Sequence, residues 1–251
     1  MKTISFFNIK GGVAKTTSSL AFAQILHDDY GKKVLLVDID KQANASKALG
    51  VYSYDGLTSA DLLTSTDLIA EQAIRHSVYG IDVIPASFDL IKANRMVLLD
   101  TMNPQQFRFK RQLAPISDKY DYCIIDYPIE DNMAVINALV VTDDVLIPIK
   151  MDRYGMDGME YVIQNIEGAK VFNPNIQLRG CFVTMYVRAN LYKEGMKALE
   201  QELASKYLKT PIRQGVKVGE STFSAPLMTY APKSKPAEDY RRLVAEYLAL
   251  D

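Results

Sequence analysis

The sequence has 251 residues, of which 48% are hydrophobic and 24% charged, and its formal net charge is −1. This length and apolar content suffice to bury a substantial core, and they fit one α/β domain or two smaller ones. The near-zero net charge excludes a uniformly basic nucleic-acid binder, and no apolar run reaches the roughly 20 residues that a membrane-spanning helix needs. The first residues pass directly into a strand-like segment rather than a signal peptide, so we expect a cytoplasmic protein.

Short apolar runs alternate with helical patterns along the chain, as parallel strands and their covering helices do. Predicted strands cover 3–7, 34–37, 81–85, 122–126, 145–149, 181–185 and, with a weaker pattern, 227–230. Predicted helices cover 15–30, 131–141, 155–172, 191–206 and 236–250, and the segment 55–75 is predicted to be an irregular insertion. With no Gly/Ser linker or repeat, the alternation predicts one doubly wound α/β domain over residues 1–251, in which helices flank a mostly parallel sheet.

Cysteine and histidine are too few and too scattered to suggest a catalytic or metal-binding cluster. Cys123 and Cys181 lie inside apolar runs without CxxC spacing, and we interpret both as small buried hydrophobic residues. His27 and His76 fall in segments that we interpret as helical surface, with no catalytic partners nearby in the sequence.

A glycine turn and a helix start follow the first predicted strand, and this segment carries the clearest chemistry. It consists of Lys10, Gly11, Gly12, Val13, Ala14, Lys15, Thr16 and Thr17. Adjacent glycines let backbone N–H groups close around phosphate oxygens, and the positive end of the following helix favours their negative charge. Lys15 is then placed to reach the β- and γ-phosphates, and the Thr16 hydroxyl to bind Mg²⁺.

This segment resembles the deviant Walker A motif, KGGxxKT, of the ParA/MinD family of ATPases. That family carries an additional lysine at the first position, here Lys10, which crosses the dimer interface to the nucleotide of the other subunit. The resemblance implies a P-loop NTPase fold, ATP and Mg²⁺ as ligands, and a homodimer with ATP at its interface. Ala14 stands where most members have glycine, so we expect a restricted backbone there.

A second motif follows the predicted strand 34–37. Its residues Asp38, Ile39, Asp40, Lys41, Gln42, Ala43 and Asn44 are similar to the family's DxDPQxN segment. Asp38 lies where open α/β sheets bind ligands, and we assign it to polarising the attacking water, with Lys10 and Lys15 as the other catalytic residues. Asp40 is expected to help hold the loop, and Lys41 replaces the usual proline.

A third motif is the apolar run 122–126, which ends in Asp126. It has the Walker B form, in which the aspartate orients Mg²⁺ through water. Family members usually continue with two prolines and a serine, whereas here the next residues are Tyr127, Pro128, Ile129 and Glu130. This departure keeps the carboxylate and leaves open how the loop senses the γ-phosphate or contacts the dimer partner.

The resemblance continues through the C-terminal part of the chain, where the adenine side is loosely matched. Segments 180–191 and 230–240 are similar to the family's adenine-side strand and to the start of its C-terminal helix. On this basis the residues expected around the adenine are Arg188, Ile212, Arg213, Gln214 and Val216.

The family includes several classes, and three of them fit this sequence poorly. MinD-type members end in a basic amphipathic helix that binds lipid, and because the last predicted helix closes the sequence given, we expect no membrane partner. Nitrogenase iron protein relatives hold a cluster with loop cysteines, yet Cys123 lies within a predicted strand. Operon repressors carry a helix-turn-helix domain before the phosphate loop, whereas here that loop begins at Lys10. The resemblance is strongest to small Soj-like partition ATPases, which implies a weak ATPase stimulated by a ParB-like centromere-binding protein.

Positive charge is concentrated towards the C-terminus, with 12 Lys/Arg against 8 Asp/Glu from residue 179 to residue 251. This bias predicts a surface on which an ATP dimer binds DNA without sequence preference, in association with the nucleoid, although ordinary solvated charge explains any single residue equally well. Two alternatives are a ParA-like switch that recruits a protein cargo and, more distantly, a tyrosine-kinase relative suggested by 15 dispersed tyrosines. The candidate DNA contacts are Arg188, Arg213, Lys217, Lys233, Lys235, Arg241 and Arg242.

Overall fold

The computed structural model describes residues 1–67, 69–151 and 157–250. Its strands are β1 (Lys2–Phe6), β2 (Val34–Asp38), β3 (Arg75–His76), β4 (Asp82–Ile84), β5 (Tyr122–Asp126), β6 (Asp144–Lys150) and β7 (Gln177–Thr184). They form one sheet in the order β3-β4-β2-β5-β1-β6-β7, and among these strands only β3 and β4 pair antiparallel. The prediction of a doubly wound, mostly parallel sheet is confirmed.

Helices connect the strands and cover both faces of the sheet. Their bounds are α1 (Lys15–Asp28), α2 (Asn44–Ala48), α3 (Ser59–Thr64), α4 (Ala70–Ala73), α5 (Leu90–Leu99), α6 (Arg108–Leu113), α7 (Met133–Val141), α8 (Asp157–Ala169), α9 (Asn190–Leu203), α10 (Val216–Ser221), α11 (Leu227–Tyr230) and α12 (Lys235–Leu248). Short 3₁₀ turns follow α6 and α9. The predicted helix 155–172 corresponds to α8, and its predicted start at 155 lies outside the described residues.

The core consists of two apolar layers, one on each face of the sheet, because successive side chains of a strand point to opposite faces. In β5, Cys123 and Ile125 belong to the layer under α3 and α5–α8, whereas Ile124 belongs to the layer under α1 and α12. Cys123 and Cys181 are buried free thiols, as predicted, and burial raises the pKa of each to about 12. Both cysteines therefore act as core residues.

The C-terminal helix α12 packs against α1 by one apolar stripe. Its residues Tyr240, Leu243, Val244 and Tyr247 are fully buried, in agreement with the predicted amphipathic helix. The two tyrosine hydroxyls also make polar contacts: Tyr240 lies 2.9 Å from the Ser18 hydroxyl, and Tyr247 donates to Asp144 Oδ2 at 2.6 Å. The C-terminal segment is thus part of the same folded unit as the phosphate loop.

Three sequence predictions are wrong in detail. The apolar run 227–230 forms the helical turn α11 rather than a strand, because the Pro226 carbonyl accepts hydrogen bonds from Thr229 and Tyr230. His76 lies in the edge strand β3, not in a helix. The segment 55–75 contains α3 and α4. Helix α3 begins with a capping box: the Thr58 hydroxyl accepts from a backbone N–H of the first turn, and the Asp61 carboxylate accepts from the Thr58 N–H.

Strand order brings the three predicted motifs to one edge of the sheet. Strand β5 lies between β1 and β2, and its last residue, Asp126, is in register with Asp38 of β2 and with Phe6 of β1. Because parallel strands end at the same edge, the loops after β1, β2 and β5 meet there.

Candidate functional site

The phosphate loop has the backbone that the glycine turn predicts. Gly12 has φ +68, and Ala14, directly before α1, has φ 69 and ψ 31, so both residues are left-handed. Two side chains brace the loop: the Asn8 amide donates to the Pro148 carbonyl at 2.9 Å and accepts from the Lys10 N–H at 2.9 Å. Sequence reasoning missed Asn8, although an amide between a strand and a glycine turn commonly bonds to nearby backbone.

Lys15 is folded into this loop rather than extended into solvent. Its side chain is 7% exposed, and its ammonium donates to the Lys10 carbonyl at 3.0 Å. Burial lowers the pKa of Lys15 to about 8, although the nearby charges of Asp126 and Asp40 act in the opposite direction. The cation is therefore held inside the turn, where it would meet a bound phosphate.

Asp38 is a buried carboxylate that already accepts three hydrogen bonds. Its Oδ2 accepts from the Ser46 N–H at 2.9 Å and the Ser46 hydroxyl at 2.7 Å, and its Oδ1 accepts from the Asp40 N–H at 3.1 Å. Burial raises the pKa of Asp38 to about 6 against these hydrogen bonds. A carboxylate oxygen has two lone pairs, so Oδ1 keeps capacity for one further donor, such as water. Ser46 therefore orients this carboxylate, a role that could not be predicted from the sequence pattern.

Asp126 offers an unsatisfied oxygen at the same edge. Its Oδ1 accepts from the Ser19 hydroxyl at 3.0 Å, whereas its fully buried Oδ2 has no hydrogen-bond partner among the described residues. Burial, and then the charge of Asp38, raises the pKa of Asp126 to about 8, while the hydroxyls of Thr16 and Ser19 lower it. A buried carboxylate oxygen beside a threonine hydroxyl is a donor set that suits Mg²⁺.

Two of the three departures from the family motifs contact each other. Lys41, in the loop after β2, forms an ion pair with Glu130, in the loop after β5. A Cβ atom on Gly11 would lie 3.7 Å from Ile129 Cγ2, so the loop after β5 also lies over the phosphate loop. Tyr127 is buried and accepts from the Ser5 hydroxyl at 3.2 Å, which anchors the start of this loop in the core.

A cavity of about 800 Å³ opens beside the phosphate loop and contains most of the residues predicted for the adenine. Ile212, Arg213, Gln214 and Val216 all line it, and so does Ala14. Arg188 is exposed and is not among the lining residues, although the adjacent Val187 is. Sequence reasoning missed Phe223, which lines the cavity with its side chain 94% exposed.

Four of the seven candidate DNA contacts are paired with carboxylates of the same chain. Arg213 Nε lies 2.7 Å from Asp239 Oδ2, and the other pairs are Lys217 with Glu220, Arg241 with Asp29 and Arg242 with Glu238. The remaining three, Arg188, Lys233 and Lys235, are exposed and form no ion pair with a described residue. Only these three therefore present an uncompensated charge.

Among the described residues, no helix combines the length and the apolar content of a membrane span.

The predicted site residues form three groups. These are a phosphate centre (Lys15, Thr16, Asp38 and Asp126), an adjoining cavity and a separate set of surface cations.

The family model and the relatives that match this chain are consistent with a nucleotide site at the phosphate loop. A family model described as an AAA domain matches residues 1–178. The sequence is 33% identical to the sporulation initiation inhibitor protein Soj of Bacillus subtilis, over 99% of this chain and 98% of that protein. It is also 33% identical to the chromosome-partitioning ATPase Soj of Treponema pallidum, over 100% of this chain and 98% of that protein.

Among solved structures, cobyrinic acid a,c-diamide synthase from Mycobacterium smegmatis, with a bound ATP analogue and magnesium, has a TM-score of 0.84 at 25% identity. The match covers 98% of this chain and 93% of that chain. Sequence similarity along the full length and the order of the strands lead to the same assignment: the chain belongs to the ParA/MinD family of P-loop ATPases.

Proposed function

We propose that residues 1–251 act as one ATPase domain that binds ATP and Mg²⁺, dimerises around the nucleotide and hydrolyses it to ADP and phosphate. In this proposal the cycle partitions plasmid or chromosomal DNA. The main support is the register of Asp38 with Asp126 across neighbouring strands, which places two buried carboxylates side by side, with Lys15 close enough to Asp126 for that charge to act on it. A lysine at a helix start and carboxylates at strand ends are the groups that phosphoryl transfer requires.

Each group has a distinct task in this proposal. Lys15 neutralises the phosphates, while Thr16 and Asp126 would hold Mg²⁺, whose charge would offset that of the phosphates. Asp38 accepts a hydrogen bond from the attacking water through Oδ1 and thereby orients it for in-line attack. Lys10 reaches the nucleotide of the other subunit, and the cavity around Ile212 and Gln214 takes the adenine.

Nucleotide binding is tested with a fluorescent ATP analogue, measured by anisotropy with Mg²⁺ and with EDTA. Lys15→Ala should weaken binding strongly, because a buried cation facing the phosphates is lost. Thr16→Ala should reduce the dependence on Mg²⁺. Lys197→Ala, on the exposed side of α9, is the matched control and should bind normally; unchanged affinity in Lys15→Ala would refute the assignment of the phosphate site.

Hydrolysis and dimerisation are tested separately from binding. Asp38→Asn should bind ATP yet turn it over slowly, so that size-exclusion chromatography with ATP detects a longer-lived dimer. Ser46→Ala keeps the carboxylate and removes only the side chain that orients it, so it should reduce turnover less. Lys10→Ala should bind nucleotide and remain monomeric, and turnover of Asp38→Asn at the parental rate would contradict the role of Asp38.

The DNA step rests on the three candidate DNA contacts that form no ion pair with a described residue, Arg188, Lys233 and Lys235. A monomer with so few phosphate contacts binds weakly, and dimerisation doubles their number, so binding should require ATP and Mg²⁺ and fall steeply with salt. Anisotropy titrations on unrelated duplexes, at two salt concentrations, measure both effects. Changing the three residues together to Gln should abolish binding, whereas Lys217→Gln with Arg242→Gln should change it little because those charges are already paired.

The proposed partner is a ParB-like centromere-binding protein that stimulates the weak basal hydrolysis, with the dimer held on nucleoid DNA in the cytoplasm. A second candidate function, a switch that recruits a protein cargo, is favoured by the internal pairing of Arg213, Lys217, Arg241 and Arg242. A verified ATP dimer that binds no duplex at low salt would select the cargo switch.

A further inference from the structure

Helix α5 has apolar residues on its outer face as well as its inner face. Leu90, Ala93 and Val97 are buried against the sheet, and the i, i+3, i+7 spacing of these three residues makes one inward stripe. The outer arc of the helix consists of Ile91, Lys92, Arg95, Met96, Leu98 and Leu99, all of them exposed. The outward apolar side chains are well exposed: 51% at Met96, 63% at Leu98 and 79% at Leu99.

This outer face differs from that of an ordinary surface helix, which places charged or polar residues towards water. Helix α7 is similarly apolar on all sides, and its residues from Met133 to Val140 are buried except Ile136. On α5 the outer apolar residues remain exposed, from 40% at Ile91 to 79% at Leu99. A contiguous exposed apolar surface of this kind marks an interaction site.

The segment after α5 extends the surface and is held in place. Met102 is 88% exposed, and its N–H donates to Asp100 Oδ1 at 2.9 Å. Asp100 in turn pairs with the buried Arg108 of α6, and the Gln105 amide donates to the Leu98 carbonyl at 3.1 Å. Met102 is therefore presented on an ordered turn, which reduces the entropy lost when a partner binds.

Two cations lie on this surface. Lys92 and Arg95 lie between the apolar side chains, and neither forms an ion pair with a described residue. Asp100 is already neutralised by Arg108, and hydrogen bonds from Asn103 and Arg108 lower its pKa to about 2. The remaining acidic residue of the segment, Asp89, is exposed directly before the helix, three residues from Lys92 and nine from Leu98.

We propose that the outer face of α5, together with Met102, docks an amphipathic helical segment of a partner protein whose apolar stripe is flanked by carboxylates. The apolar side chains of the partner would cover Leu98, Leu99 and Met102, and its carboxylates would pair with Lys92 and Arg95. None of these side chains is assigned to the phosphate centre, so the proposal does not rest on the proposed nucleotide cycle.

A second copy of this chain fits the surface less well, since an isologous contact offers Lys92 and Arg95 only the same face, where Asp100 is already paired with Arg108 and Asp89 is the other carboxylate. An anionic membrane would match the charge, but two cations give only weak attraction to lipid. A partner segment that supplies carboxylates satisfies both the apolar and the charged residues.

The test uses the full chain and two labelled synthetic helical peptides of about 18 residues, a length that forms a marginally stable helix in water. Both have leucines at i, i+3, i+4 and i+7; one carries glutamates beside this stripe and the other lysines. Fluorescence anisotropy should detect binding of the acidic peptide and about tenfold weaker binding of the basic one. Leu99→Gln with Met102→Gln should weaken the acidic peptide about tenfold, and Lys92→Glu with Arg95→Glu should reverse the preference.

The matched control is Val78→Gln with Val171→Gln, two exposed apolar residues elsewhere, 90% and 78% exposed, which should leave peptide binding unchanged. Thermal unfolding and ATP-analogue affinity should be parental in every variant, which separates this test from that of the proposed function. Failure of the acidic peptide to bind, or equal binding of both peptides, would overturn the proposal. It would also be overturned if the Leu99/Met102 variant instead lost self-association in sedimentation, or lost binding to phosphatidylserine vesicles.

Discussion

Substitution by glycine usually destabilises a folded protein. At Ala14, where the backbone is left-handed, we expect glycine to stabilise it instead. At φ 69 and ψ 31 the Cβ of an L-residue crowds the following carbonyl, which costs about 1 kcal/mol relative to glycine. Ala14→Gly should therefore stabilise the nucleotide-free protein by about 1 kcal/mol. For a domain of this size the gain corresponds to a rise in Tm of about 2–4 °C.

Urea and thermal unfolding, followed by circular dichroism, measure this change. The matched control is Ala198→Gly on the exposed side of α9, where the backbone is helical and glycine should destabilise by about 1 kcal/mol. The two substitutions remove the same methyl group, so they differ mainly in backbone conformation. Destabilisation of Ala14→Gly to the same extent as Ala198→Gly would refute the claim that the phosphate loop is strained at this residue.

Three further predictions concern contacts outside the phosphate loop. Tyr247→Phe should destabilise the fold by about 1–2 kcal/mol in urea unfolding, because the buried Asp144 carboxylate loses a donor; Tyr54→Phe, at a side chain 92% exposed, should have no effect. Lys41→Ala and Glu130→Ala should show a coupling of about 0.2–1 kcal/mol in a double-mutant cycle of unfolding free energies, and the exchange Lys41→Glu with Glu130→Lys should recover it; zero coupling would contradict the ion pair. Cys123 and Cys181 should react with a thiol reagent only after denaturation, because burial raises the pKa of both, and fast labelling of the native protein would show that one of them is accessible.

The parallel sheet and the backbone of the glycine turn were predictable from sequence because both depend on local patterns. Runs such as 122–126 are apolar at successive positions, and a buried parallel strand is the structure that satisfies them. The glycine turn before Lys15 fixes a backbone geometry within a few residues. Asp126 at a strand end was therefore placed correctly without any knowledge of its neighbours.

Features that depend on distant contacts were not predictable in this way. Arg213 looks like a free surface cation in the sequence, yet Asp239, 26 residues later, binds its guanidinium. The run 227–230 has too few residues to distinguish a strand from a helical turn by period. The capping box of Thr58 and Asp61 could have been recognised, because the motif lies within four residues, and it would have predicted α3 inside the segment 55–75.

The ion pair between Lys41 and Glu130 explains two departures from the family motifs that have no separate explanation in the sequence. Lys41 stands in place of a proline, and Glu130 lies where the family has a different loop after Walker B. Strands β2 and β5 are neighbours, with Asp38 in register with Asp126, so their following loops leave the sheet side by side. A lysine without the conformational restraint of proline can loosen the first loop, and the carboxylate of Glu130 holds it from the second. The loops that follow Asp38 and Asp126 are thereby joined by an ion pair rather than held by a rigid turn.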